Sequence, residues 1–222
     1  MMGRPGNRDP RTFWQADLDE AIGRLVWFVR RYQPDVITTY NDFGGYGHPD
    51  HIRTHLVAVG AFARAGDAAW YPEQLAPEDG GTGPSREEGG LAPWTASKLY
   101  EQAIPASVRQ GMAEKLKALG QRSFWEPPED ATPEQIAEHE AYTAKMLVPD
   151  ESITTWIDIS GAPVDAKWAA IHEHVTQISD QSPFMLMGLD GWREGWSREA
   201  YVLRESRIET SLPETDLFAG IA

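Results

Sequence analysis

Asn41 to His55, reading NDFGGYGHPDHIRTH, concentrates the side chains that can do chemistry. Gly44, Gly45 and Gly47 let the backbone turn sharply and come close to a ligand. His48, His51 and His55 are spaced i, i+3, i+7, so a helix would carry them near one face. Two neutral imidazoles beside such a turn can ligate Zn²⁺. Asp50 can orient an imidazole or raise its pKa, and the Tyr46 hydroxyl can donate to a developing oxyanion. The spacing leaves open whether His48 or His55 partners His51, and no carboxylate completes a ligand set. Taken alone, His55 fits a structural role. Elsewhere, His139 reads as solvent-exposed, and His174 is a better candidate than His172 for facing an interior.

The elements that must position this cluster are legible around it. Asp17 to Tyr32 is a predicted helix with an acidic cap, its stripe running through Leu18, Ala21, Ile22, Leu25, Phe28, Val29 and Tyr32. Pro34 ends it, and Val36 to Tyr40 suits a buried strand. The glycine turn follows, then a helix from Ile52 to Ala65 with Pro49 in its first turn. Helix, strand, loop, helix is the rhythm of a doubly wound α/β fold, whose sites lie at the carboxyl ends of strands.

Further along, residues 71–93 are rich in Gly, Pro and acid and read as an exposed acidic insertion. Pro93 to Tyr100 resumes as a structured segment. Pro105 and Gly120 bracket a helix through Leu119, and Thr132-Pro133-Glu134-Gln135 opens another towards Met146. Ile153 to Ile159 reads as a strand and Val164 to Ile178 as a helix. The tail from Ser182 to Ala222 carries several aromatics and ends in LPETDLFAGIA, which reads as a loop wrapping the body. With no repeat and no second domain in the pattern, the 222 residues are expected to form a single domain.

The net charge of −14 argues against nucleic acid or an anionic membrane as the main partner. There is no cysteine, which excludes disulfides, thiolate ligands and a catalytic thiol, and fits a reducing cytoplasm. No run of eighteen apolar residues is present to span a membrane.

Tyr46-Gly47-His48-Pro49-Asp50-His51 resembles the second signature of the PIG-L/LmbE-like zinc deacetylases. Lys167, His174, Thr176 and Gln177 resemble a helix signature of the same family. MMGRPGNRDPRTFWQADLDEAIGRLV, PDVITTYNDFGGYGHPDH and YVLRESRIETSLPETDLFAGI resemble the family's mycothiol S-conjugate amidase branch. The resemblance implies a Rossmann-like three-layer α/β sandwich with a mostly parallel sheet. It implies a zinc-dependent hydrolase of amides, acting on a small thiol-sugar conjugate, with one zinc per complete domain. The related alternatives are the N-acetyl-glucosaminyl-inositol deacetylase of mycothiol synthesis and a non-catalytic fragment. Carried over residue by residue, it makes His51 a metal ligand and His48 the imidazolium that stabilises the oxyanion and protonates the leaving amine. Asp50 would tune His48, and Tyr46 would donate to the oxyanion.

The family's first signature, Ala-His-Pro-Asp-Asp-Glu, is absent, and HPD occurs only at 48–50. That signature brings two further metal ligands and the general base. The resemblance therefore implies an amino-terminally truncated domain, inactive alone and poorly soluble, with an exposed sheet edge and apolar face.

Overall fold

The computed structural model describes residues 2–76, 90–123 and 125–221. Most of the acidic insertion, residues 77–89, lies outside them. The described flanks are ordered: Pro72–Gln74 is a 3-10 turn, and Leu75 bridges to Leu91.

The architecture is α/β. In chain order the elements are α1 (Leu18–Tyr32), β1 (Val36–Tyr40), the short turn α2 (Gly44–Gly47), α3 (Pro49–Arg64) and β2 (Lys98–Pro105). Then follow α4 (Ala106–Ala118), α5 (Pro133–Met146), β3 (Leu147–Val148), β4 (Thr155–Asp158), α6 (Ala162–His172), α7 (Pro183–Leu186), α8 (Gly188–Gly195) and β5 (Arg198–Ser206). The strands form a mixed sheet in the hydrogen-bonded order β1-β2-β5-β4, with β3 on β2. Pairings β1–β2 and β2–β3 are parallel, and β4–β5 is antiparallel. Two compact units share β2 and β5.

The first unit comprises residues 2–102, 203–211 and 217–221 of the described chain. Asp17 caps α1 by accepting from the Glu20 amide, as the sequence predicts. The buried stripe differs from the predicted one: Ile22, Val26, Val29 and Arg30 face inward, whereas Phe28 and Tyr32 are exposed. The inward arc packs on Val57 and Ala61 of α3 and on Ala65, its C-cap. Phe28 and Tyr32 stack on each other, and Trp27 meets Phe28 edge to face. α1 and α3 approach closely at Gly60, where a Cβ would stand 2.5 Å from Ile22 Cδ1. Phe62, Ala96 and Leu99 extend this core.

Arg30 is the least expected core residue. It is 1% exposed. Its guanidinium donates to the carbonyls of Ala65, Asp67, Trp70 and Tyr71 and to the Gln74 amide oxygen. Burial lowers its pKa, and Glu73 and Asp67 oppose that shift. The Ala65 bond closes the carboxyl end of α3.

β1 matches its predicted bounds but is half-buried, with only Thr39 fully covered. It stands at one end of the strand order, so among the described residues one of its edges is unpaired. The last residues lie on this unit as a wrap, with Lys98 Nζ donating to the Ala219 carbonyl and Arg207 to those of Phe62 and Ala96.

The second unit comprises residues 103–202 and 212–216. Its small sheet core is Ala103, Ile153 and Ala200. β2 begins at Lys98, later than the segment read from Pro93, and Pro105 caps α4 rather than entering it. Thr132 and Gln135 complete the predicted capping box of α5. His139 is half-buried, not exposed, because its Nε2 is held by the Trp125 carbonyl. β4 keeps only the centre of its predicted span.

α6 ends at His172, six residues early. Val175, on the predicted stripe, is 77% exposed and has no core to pack against, so burial does not extend the helix. His174 is exposed in the following turn, against expectation, as is His172. The largest departure is β5, a nine-residue strand to which the sequence reading assigns no element. Its charges mask the strand pattern. Glu199 pairs with Lys167, and Arg198 lies over the Trp156 ring.

Candidate active site

The site lies wholly in the first unit, where β1 runs out. Asn41 starts the turn: its carbonyl accepts from the Gly44 amide and its Oδ1 from the Gly45 amide. Gly44, Gly45 and Gly47 all have positive φ, at +66°, +73° and +74°. At Gly44 space also demands glycine, since a Cβ would stand 2.7 Å from the Ile52 amide nitrogen and 2.9 Å from His51 Cβ. The turn is thus pressed against the first turn of α3.

His48 is the N-cap of α3, and its Nδ1 accepts from the Asp50 amide at 3.2 Å. Pro49 occupies the first helical position, where its missing N–H costs nothing. With Nδ1 accepting, the proton of a neutral His48 ring lies on Nε2. The Asp50 contact is therefore made by main chain rather than by carboxylate. An imidazolium His48 would give up this cap.

His51 sits one turn on. Its Nδ1 faces the Gly44 carbonyl at 3.1 Å, which assigns the proton to Nδ1 and leaves the Nε2 lone pair free for an electrophile. Burial lowers its pKa most; the Gly44 contact raises it, neighbouring His48 lowers it and Asp50 raises it. The net downward shift favours the neutral ring, the form that ligates metal. The ring stacks on Tyr40, with centroids 4.0 Å apart and planes 9° apart. Tyr46 meets it edge-on at 4.9 Å, and His48 lies 4.9 Å away. Tyr46 is 39% exposed, and burial of its hydroxyl region raises its pKa. It stays a phenol and a donor near neutral pH.

The structure thus brings His48, His51, Tyr46 and Asp50 to one corner. His55 points elsewhere: it is 4% exposed, and its Nδ1 bonds the Tyr40 carbonyl at 2.9 Å and lies 3.5 Å from Glu101. Sequence reasoning missed Tyr40 as part of the site. Its position as the last strand residue before the glycine turn is the signal that could have found it.

The donor set fits a zinc site only in part. His51 offers one well-oriented nitrogen, yet no group of three His, Asp or Glu side chains among the described residues could hold a metal ion. Catalytic zinc needs about three protein ligands, so no step through a metal follows from these residues. No helix among them is long and apolar enough to cross a membrane.

Similar proteins share the whole of this chain. It is 38% identical over 223 residues to a protein of Geodermatophilus obscurus named 1D-myo-inositol 2-acetamido-2-deoxy-alpha-D-glucopyranoside deacetylase, of which it spans 66%. A second deacetylase so named in Frankia alni is 36% identical and spanned to 69%. A Thermobispora bispora protein of the same name is 33% identical and spanned to 68%. In each case the match takes in 100% of this chain, which spans about two thirds of the relatives' length. No family model matches.

Proposed function

We propose, given that the chain belongs to the family of 1D-myo-inositol 2-acetamido-2-deoxy-alpha-D-glucopyranoside deacetylases, that it carries part of an amide hydrolase acting on an N-acetylated amino sugar linked to inositol. The relatives' names weigh towards this deacetylase reading and against the S-conjugate amidase that the sequence resemblance put first. The observation that carries the proposal is His51, neutral and turned so that Nε2 is free, beside two proton donors. In hydrolysis a water oxygen bonds to the acetyl carbon, the C–N bond breaks and the amine nitrogen gains a proton. As an imidazolium released from its cap on the Asp50 amide, His48 would supply that proton, and the Tyr46 hydroxyl is suited to stabilise the oxyanion. His51 would ligate the zinc that the family resemblance implies; the remaining ligands and the general base are not among these residues. Asp50 adds negative charge near His51.

The single incomplete domain, a small-molecule partner and a cytoplasmic setting belong to the same proposal. The amidase remains the second reading because the first and last stretches of the chain resemble that branch. Acetate release and S-conjugate cleavage are measured with zinc, first on the 222-residue chain and then on a fusion to the residues of the Geodermatophilus relative that it does not match. The chain alone is expected to give no turnover, and the fusion to release acetate. Turnover by the chain alone with one bound zinc refutes the partial site. A fusion that prefers the S-conjugate installs the second reading, and a folded fusion that cleaves neither refutes both.

A further inference from the structure

We infer that Tyr40 and His55 are positioning residues for His51, forming a closed loop between the end of β1 and one face of α3. His51 and His55 are four residues apart on α3, so their side chains share a face. Both act on Tyr40. The His51 ring stacks on the Tyr40 ring at 4.0 Å, and His55 Nδ1 donates to the Tyr40 carbonyl at 2.9 Å. Behind His55, Glu101 of β2 lies 3.5 Å from the same nitrogen, and Arg204 pairs with Glu101. His55 therefore fixes where Tyr40 stands, and Tyr40 fixes the plane of His51.

The plane matters because the Gly44 carbonyl lies to one side of His51 only. Held flat on Tyr40, with Tyr46 edge-on at 82°, the ring keeps Nδ1 on that carbonyl at 3.1 Å. A ring free to rock would lose the contact and revert to the Nε2–H form that free histidine prefers, closing the one nitrogen the site offers. Gly45 lies beside the same ring, and its positive φ of +73° rather than space calls for glycine, since a Cβ would meet Tyr40 Cδ1 at an ordinary 3.6 Å. The two histidines of the helix are explained together, half-buried His51 presenting a nitrogen and buried His55 holding the platform beneath it.

The inference rests on His51 as the donor of the proposed site, but its test reads the ring itself and needs neither substrate nor metal. The full chain is labelled with ¹⁵N-histidine, and the ring nitrogen shifts of His51 are recorded above its titration range. The wild type is expected to show the Nδ1–H tautomer in excess, by at most about tenfold, since one neutral hydrogen bond works against the opposite preference of the free ring. Tyr40→Phe keeps the platform and the excess, whereas Tyr40→Leu loses it. His55→Asn retains a donor near the position of Nδ1 and keeps the excess, whereas His55→Leu loses it. Folded leucine variants that retain the excess overturn the loop. Should they not fold, the wild type still decides: exchange-averaged tautomers in it overturn the inference, and Nδ1–H excess in wild type, Tyr40→Phe and His55→Asn sustains it. A hydrolase reading that fails in the turnover assay leaves these shifts unchanged.

Discussion

Gly60→Ala in α3 sets two effects of opposite sign against each other. In a helix interior the change gains about 1 kcal/mol, the propensity difference between glycine and alanine. The new Cβ would meet Ile22 Cδ1 at 2.5 Å, Cγ1 at 2.9 Å and Cγ2 at 3.3 Å. Ile22 is 4% exposed in the α1–α3 core and cannot swing into water. Overpacking of this kind costs about 1–3 kcal/mol, so the single variant should range from neutral to about 2 kcal/mol less stable. Ile22→Ala alone should cost about 2–5 kcal/mol as a large-to-small core change. In the double variant all three contacts are gone, and the propensity gain survives. The coupling should therefore be favourable by about the size of the clash, 1–3 kcal/mol, measured by urea unfolding across the four proteins. A cycle that closes within about 0.5 kcal/mol refutes the close approach of α1 and α3. The result bears on the site, because this contact sets where α3 holds His48 and His51.

Arg30→Met leaves four main-chain carbonyls and the Gln74 amide short of donors. Water can reach parts of this loop, so the expected loss is about 2–4 kcal/mol rather than a multiple of the 1–3 of one buried orphan; denaturant midpoints check it. Hydrogen bonding from the Ser107 side chain first, and then from its amide in the first turn of α4, holds the Asp150 carboxyl below the usual range. Asp150→Ala should cost about 1 kcal/mol at neutral pH, as for other helix caps. The contribution of a depressed carboxylate is present above its unfolded pKa and lost as pH falls through its folded one. The two unfolding midpoints should therefore converge in acid; a gap that persists there shows that charge is not involved. Gly44→Ala should perturb the His51 ring shifts and destabilise the first unit by about 2–4 kcal/mol, from positive φ and overpacking together.

Local signals carried much of the fold. Asp17, Pro34, Pro49 and the Thr132 box mark chain positions where backbone donors or φ decide the outcome, and the structure honours each. The stripe on α1 was harder to read, because Phe28 and Tyr32 are apolar at helical spacing yet face outward, and periodicity cannot say which arc meets a partner. β5 was hidden by its charges, which become tolerable only once Glu199, Arg198 and Arg204 find partners on other elements. At the site, the residues from Asn41 to His51 were visible as types and spacing. The division of labour between ring nitrogens was not, since it depends on which carbonyl or amide each nitrogen meets. His55 read as structural, and its link to Tyr40 exists only in three dimensions.

Arg30 grips the loop after α3 through main-chain oxygens for four of its five bonds. Such a bond asks nothing of the side chain it passes, although Asp67 also accepts from the Ala69 amide and Arg64 lies over the Trp70 ring. Ala68 and Ala69 are exposed, and there the sequence can drift while the path of the chain stays fixed, so long as Arg30 itself does not change. A saturation library at Ala68 and Ala69 would show tolerant positions on a loop whose path depends on one intolerant residue, Arg30. In an alignment, a conserved arginine facing a variable loop would look unconnected to it.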